Sequence, residues 1–179
     1  MPAIWRLTPR QSVAAECERR GKAAVVAGCI DLLQGRQGTD DALLIALAGP
    51  AAQAVLDGSA GGKEGYWPRV WAARGLLHAW DDRATAVIVQ ATADDAWRVR
   101  EMAAKVIARH RVGDALPAVS RLRTDPVQRV RATAERAVVL LTASSTTFVS
   151  CLNEPAAADR SGAAGGKAHD RLVGCGPHA

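Results

Sequence analysis

A repeat of 31 residues in the middle of the chain constrains the fold more than any other feature of the sequence. Three stretches, 68–76, 99–107 and 130–138, begin 31 residues apart. Each has an arginine at its second position, an alanine at its fifth, a base at its seventh and a branched aliphatic residue at its ninth. A fixed period of this length is typical of solenoid proteins, in which each unit packs only against its neighbours.

Each unit of the repeat has the pattern of two helices. The first is predicted by apolar residues at the helical spacing i, i+4, i+7 and i+8, which are Val99, Ala103, Val106 and Ile107 in the second unit. A Gly-Asp pair interrupts this pattern, and a shorter apolar stripe then predicts a second helix over 116–122. Pro126 begins the next unit, because proline fits the first turn of a helix and not its interior. One such pair cannot bury its apolar stripe alone, so stacked pairs are expected.

Small side chains dominate the composition. Alanine supplies 37 of the 179 residues, whereas Phe and Tyr supply one each, and a core of small side chains suits helices better than sheets. No apolar run approaches the roughly 20 residues of a membrane-spanning helix. Residues 1–10 have no apolar core of a secretory signal, and the four cysteines show no paired spacing. These features predict a cytoplasmic, mainly helical protein without a membrane partner.

The repeat resembles HEAT repeats, in particular the short form found in phycobilisome-lyase-like proteins. The resemblance rests on Val-Arg-x-x-Ala-Ala-x-x-Ile at 99–107 and on its relatives at 68–76 and 130–138. It implies an all-α fold, a right-handed α-α superhelix of about three to five helix pairs. Fold alone says little about function, because one solenoid architecture serves many partners.

An aspartate lies six residues before the repeated arginine in two of the units. The pairs are Asp94 with Arg100 and Asp125 with Arg131. The resemblance implies that these residues form a structural ladder between neighbouring repeats. An aspartate at a turn suits this role, because its carboxylate accepts hydrogen bonds from helix N-terminal amides and from arginine. Lys63 replaces the aspartate before Arg69, so we expect the first unit to lack the ladder contact.

The sequence divides into three parts. The pattern of residues 1–65 predicts divergent helical repeats that cap the array, with helix-capping side chains at Thr8 and within Thr39-Asp40-Asp41. Residues 66–142 hold the 31-residue repeats, the last of them incomplete because it lacks a second helix. Residues 143–179 are rich in Ala, Gly, Ser and Pro without a helical period, which predicts a disordered C-terminal tail.

Basic and aromatic side chains concentrate in the repeats. Residues 66–142 carry 13 basic and 8 acidic residues, so the whole net charge of +5 resides there. In each of the first two units, one face of the first helix carries aromatic and basic side chains, which recur at helical spacing. They are Trp67, Trp71, Arg74, Arg98, Lys105 and Arg109. We predict that these residues bind a partner, the tryptophans supplying apolar area and the bases orientation and association rate.

Two other interpretations of this face stay open. The tryptophans Trp67 and Trp71 could serve only to pack against the N-terminal repeats. Aromatic rings beside arginines also suit base stacking and phosphate contacts in nucleic acid.

No pattern of catalytic or metal-ligating residues emerges. The C-terminal cysteines and histidines lack the compact paired spacing of zinc sites; they are Cys151, His169, Cys175 and His178. Cys17 and Cys29 lie on predicted helices and are expected to be small core residues. The acidic pairs at 81–82 and 94–95 lie where helices begin, which capping explains. We therefore predict no metal, no cofactor and no enzymatic activity.

These observations predict a non-catalytic binding or scaffold module that docks a protein partner on its repeat surfaces. One alternative is a nucleic-acid-binding module similar to HEAT-like alkylation-repair proteins. Another is a protein similar to bilin lyases or chaperones, which only the repeat subtype implies. The last apolar stripe lacks its second helix, so the uncapped C-terminal repeat also predicts contact with a partner or with a second copy in a homo-oligomer.

Overall fold

The structure is a computed structural model that describes residues 7–36, 40–62 and 64–152, with the backbone alone from 144 onward. All regular structure within these ranges is helical, which confirms the predicted all-α fold. The α-helices are α1 (Pro9–Arg20), α2 (Lys22–Leu33), α3 (Asp41–Ala48), α4 (Ala52–Leu56), α5 (Tyr66–His78), α6 (Thr85–Ala91), α7 (Trp97–His110), α8 (Leu116–Arg121) and α9 (Gln128–Leu152). The leading helices α5, α7 and α9 begin at 66, 97 and 128, which reproduces the 31-residue period of the sequence.

The helices stack as a solenoid. Helices α2, α5, α7 and α9 pack side by side in one row, each against the next. The shorter helices α3, α6 and α8 pack against the leading helix of the following unit, which is α5, α7 and α9 respectively. Helix α1 covers the beginning of the row through contacts with α2, α3 and α5. Each unit thus buries its apolar stripe only with the help of its neighbours, as expected of a repeat architecture.

Alanine in the leading helices allows them to approach closely. Ala72, Ala103 and Ala134 occupy equivalent positions of the three units and are completely buried. They belong to one continuous apolar core that extends from Val13 in α1 to Leu141 in α9. The alanine-rich composition therefore lets the helices pack closely, with small side chains in place of the aromatic ones of a typical core.

The helices at the beginning of the chain start at the capping residues that the sequence predicts. Thr8 caps α1, and its side chain and that of Gln11 bond each other's backbone amides in a capping box. The carboxylate of Asp40 accepts hydrogen bonds from the amides of Ala42 and Leu43 at the start of α3. Both caps satisfy amides that have no partner within the helix.

Helix α9 extends past the predicted boundary between the repeats and the tail. The sequence predicts disorder from residue 143, whereas the helix continues to Leu152. No glycine or proline occurs between Val127 and Glu154, and the serines and threonines of this stretch disfavour a helix only weakly. Residues 153–179, where the rest of the predicted tail falls, lie outside the described residues.

Candidate functional site

The first turns of the leading helices lie along one edge of the solenoid. Helices α5, α7 and α9 are packed side by side and begin at equivalent positions of the repeat. The first two residues of α5 are Tyr66 and Trp67, and those of α7 are Trp97 and Arg98. Arg129 is the second residue of α9. The period of the repeat therefore sets aromatic rings of one unit beside an arginine of the next.

The arginines at this edge lie over the rings. The Cζ atom of Arg98 is 4.4 Å from the ring centroid of Trp97, 5.4 Å from that of Trp67 and 5.9 Å from that of Tyr66. The Cζ atom of Arg129 is 5.6 Å from the Trp97 centroid. We call these five residues the aromatic–arginine edge. Each cation–π contact contributes about 0.5–1 kcal/mol at an exposed site, so the contacts hold the side chains in place.

An open groove runs beside the aromatic–arginine edge. Its volume is about 410 Å³, and most of its lining surface is apolar. The groove is lined by Tyr66, Arg69, Asp95, Ala96, Trp97 and Arg98. An apolar groove next to a guanidinium group can take an apolar side chain and pair a carboxylate beside it.

The cations of the edge retain most of their capacity for ion pairs. Within the part of the chain that the structure describes, Arg98 makes no salt bridge. Arg129 is 3.4 Å from a carboxylate oxygen of Glu101, and its side chain is 69% exposed. The same carboxylate accepts a 3.0 Å bond from Lys105 Nζ, which places Lys105 next to the edge. Arg109 is exposed in the last turn of α7, about 16 Å along the helix from Arg98.

Two residues of the predicted binding face point into the protein instead. Trp71 is only 5% exposed and stacks on Trp67, with ring centroids 6.0 Å apart. Arg74 is partly buried, and its Nη2 donates a 2.7 Å hydrogen bond to the carbonyl oxygen of Leu47 near the end of α3. Burial lowers the pKa of Arg74 below its ordinary value. Because α5 is covered by the helices around it, these two side chains serve packing, and we no longer assign them to a binding surface.

The edge also contains three residues outside the predicted set of binding residues. Tyr66, Trp97 and Arg129 contact Arg98 or its neighbouring ring, although none was selected as a binding residue. The signal was present in the sequence, because 66 and 97, like 98 and 129, are 31 residues apart. Residues of successive units meet at equivalent repeat positions, whereas a helical face extends along one unit.

An Asp–Arg ladder links the units directly behind this edge. Arg100 Nε and Nη2 donate to the carboxylate of Asp125 over 2.6 and 3.2 Å, and Arg69 bonds Asp94 in the same way over 2.7 and 3.2 Å. Each aspartate also accepts a 2.8 Å bond from the amide two residues later. The first unit therefore takes part in the ladder through Arg69, so the expectation drawn from Lys63 is wrong for this contact; Lys63 itself lies outside the described residues.

The ladder holds Asp125 in its ionised form. Burial alone would raise the pKa of this carboxyl group, but hydrogen bonds from Arg100 and from the Val127 amide outweigh it and lower the pKa. Arg100 is fixed in turn, because its Nη1 donates to the carbonyl oxygens of Asp94 and Asp95. Each rung thus joins a side-chain ion pair to the backbone of an inter-repeat turn.

A comparison with protein families identifies the repeats. A family model described as HEAT repeats matches residues 63–138, which include α5 to α8 and the first part of α9. Residues 63–138 are HEAT repeats. No curated protein and no solved structure matches the chain. The match does not distinguish the phycobilisome-lyase-like form, so this subtype stays a prediction, as does the cytoplasmic location.

The acidic pairs at 81–82 and 94–95 each contain an aspartate that caps a turn between helices. The Asp81 carboxylate accepts a hydrogen bond from the Arg83 amide, and Asp94 accepts one from the Ala96 amide. Across residues 7–36, 40–62 and 64–143, no three side chains of His, Cys, Asp or Glu form a group that could hold a metal ion. Cys151 has no described side chain, and His169, Cys175 and His178 lie outside the described residues.

One cysteine of the N-terminal helices is deeply buried. Cys29 lies in α2 facing α5, and burial raises the pKa of its thiol to about 12. A Cβ atom on Gly75 of α5 would come within 2.8 Å of its sulfur, so glycine permits this close approach. Cys29 is therefore a protonated packing residue, in agreement with its predicted role in the core.

A helix that crosses a membrane must be long and apolar. Among the described helices, none combines enough residues with enough apolar character to cross a lipid bilayer.

Proposed function

We propose that the chain is a non-catalytic HEAT-repeat binding module whose protein partner docks on the aromatic–arginine edge. The observation that carries this proposal is the position of Arg98, which lies over three aromatic rings without a salt bridge in the described part of the chain. Aromatic residues and arginine are the side chains most enriched at the energetic centres of protein interfaces. The cation–π contacts reduce the side-chain entropy that docking would otherwise cost.

The partner segment should carry an apolar anchor flanked by carboxylates. The groove beside Tyr66 and Trp97 offers mostly apolar walls to the anchor. Arg98 and Arg129 offer guanidinium groups that pair carboxylates with two parallel hydrogen bonds. The net charge of +5 within 66–142 would draw an acidic segment towards this edge over a longer distance.

The contacts at the edge favour a protein over a nucleic acid. Stacking on a single strand requires aromatic faces open to the bases. Here Arg98 lies over Trp67 and Trp97, and Arg129 also lies over Trp97, so guanidinium groups occupy ring faces that bases would use. Nucleic-acid binding remains a distinguishable outcome of the experiment below, because it would depend on nuclease and steeply on salt.

The side chains that could act in catalysis have structural roles, which supports a non-catalytic module. Asp81 and Asp94 use their carboxylates to cap turns and pair arginines. Cys29 is buried and protonated, which suppresses the thiolate that nucleophilic catalysis needs.

An affinity experiment with the full chain tests the proposal. The immobilised wild type would be compared with Arg98→Glu and with Arg10→Glu, which changes the net charge equally. Arg10 is exposed in α1 and lies near His78, at the opposite end of α5 from Tyr66. Circular dichroism would verify that the variants keep the wild-type helix content.

We expect one or more proteins to be retained from extract by the wild type and by Arg10→Glu but not by Arg98→Glu, with or without nuclease. If nuclease abolishes the retention, the partner is a nucleic acid and the proposed protein partner is wrong. Equal retention by all three chains would mean that the aromatic–arginine edge serves only packing, and the proposal would be wrong.

A further inference from the structure

Among the described residues, Arg131 is the last arginine of the Asp–Arg ladder, and no carboxylate pairs with it. Arg131 Nη1 donates to the carbonyl oxygens of Asp125 and Pro126, just as Arg100 Nη1 donates to those of Asp94 and Asp95. Its guanidinium group is therefore held in the pose of the other rungs. In those rungs Nε and Nη2 bind a carboxylate of the next unit, but in Arg131 they have no hydrogen-bond partner among the described residues.

The outer face of α9 carries a second group without a described ion pair. Glu135 is exposed and lies one helical turn after Arg131, hence on the same side of the helix. The equivalent residue of the previous unit is Ala104, which is completely buried in the core. Val139, four residues further, is 64% exposed. The face on which another unit would stack thus presents a cation, a carboxylate and an apolar side chain.

We propose that a second copy of this chain docks on this face, with the two α9 helices antiparallel about a two-fold axis. In a two-fold interface residue i of one copy contacts residue j of the other, and j contacts i in return. A face with Arg131 and Glu135 one turn apart is then self-complementary, because each arginine meets the glutamate of the other copy. The same register brings Val139 of one copy beside Val127 of the other.

The charges of the face favour this occupant over the alternatives. A purely acidic partner would pair Arg131 but set its charge against Glu135. A nucleic acid would meet the same carboxylate. A second copy supplies both missing charges in a reciprocal arrangement, and it covers the outer face of α9, where Val139 is 64% exposed. The outer face of α9 is a different surface from the aromatic–arginine edge.

Charge reversal in the full chain tests the dimer by sedimentation velocity over a range of protein concentrations. The single variants Arg131→Glu and Glu135→Arg place like charges opposite each other, so each should raise the dimer dissociation constant at least about tenfold. The double variant restores two opposite-charge pairs and should dimerise again. An equimolar mixture of the two single variants should form heterodimers, because each copy then faces its opposite charge twice.

Arg10→Glu, far from α9, serves as the control with the same charge change as Arg131→Glu and should leave the dissociation constant unchanged. Glu135→Arg removes no described hydrogen bond, so it decides the test if Arg131→Glu fails to fold. A wild-type chain that stays monomeric at all concentrations would overturn the proposal and leave the face to residues 153–179 or to a different protein. A dimer that tolerates both single reversals would overturn it as well.

Discussion

Replacing Asp125 by alanine should destabilise the repeats more than the same replacement of Asp94. Both aspartates bond Nε and Nη2 of an arginine in the preceding unit and the backbone amide two residues later. The two variants therefore remove matched sets of hydrogen bonds. The pairs differ in exposure, because the side chains of Asp125 and Arg100 are 4% and 14% exposed, and those of Asp94 and Arg69 are 12% and 25% exposed.

The size of the effect follows from the arginine that is left behind. Removing one partner of a buried ion pair costs about 3–5 kcal/mol, because the other charge stays buried without compensation. Arg100 keeps two carbonyl acceptors and some contact with water, so we expect the lower limit, about 3 kcal/mol, for Asp125→Ala. Asp94→Ala leaves a more exposed arginine, which water stabilises in part, and we expect about 1–2 kcal/mol.

Urea unfolding followed by far-UV circular dichroism measures both free energies. Asp114→Ala is the control, since Asp114 is exposed and forms no ion pair within the described residues, and its effect should stay within about 0.5 kcal/mol. An Asp125→Ala chain as stable as the control would refute the ladder as a stabilising element. The reverse order of the two aspartate variants would refute the argument from burial.

Three further results are expected. Burial lowers the pKa of His110 and His78, so the unfolded chain binds more protons and stability should fall as pH drops below about 6.5; thermal unfolding across pH should lose part of this dependence in His78→Gln/His110→Gln. Iodoacetamide labelling with peptide mapping should modify Cys17 before Cys29, because Cys17 is partly exposed whereas the buried Cys29 thiol has a pKa of about 12; equal labelling would contradict the burial of Cys29. Thr8→Ala should remove the capping box of α1 and cost about 1 kcal/mol of its local stability, which amide hydrogen exchange in α1 would detect as lost protection.

The helices of the repeats could be predicted because two independent signals coincide in them. The 31-residue period fixes where equivalent helices begin, and the apolar spacing within each unit gives the helical type. The structure accordingly begins α5, α7 and α9 at 66, 97 and 128. The end of α9 was not predictable in this way, because residues 142–147 are all Thr, Ala or Ser, which interrupt the apolar stripe and are compatible with either state.

The composition of the candidate site was only partly predictable. Helical spacing correctly puts Trp67, Trp71 and Arg74 on one side of α5, but it does not tell which neighbouring helix covers that side. Trp71 is buried, and Arg74 bonds the end of α3, because α5 has neighbours on several sides. The contacts of Arg98 with rings of two units depend on how the units stack, which spacing within a single helix does not contain.

Site-specific photo-crosslinking tests the central claim, that a protein docks on the aromatic–arginine edge, most directly. A photoreactive phenylalanine analogue would replace Tyr66, which lines the groove, or Arg10, at the far end of α5. We predict a discrete nuclease-resistant protein adduct in extract from position 66, none from position 10, and its loss when Arg98→Glu is added. Adducts of equal yield from both positions, or an adduct at 66 that persists with Arg98→Glu, would contradict the account.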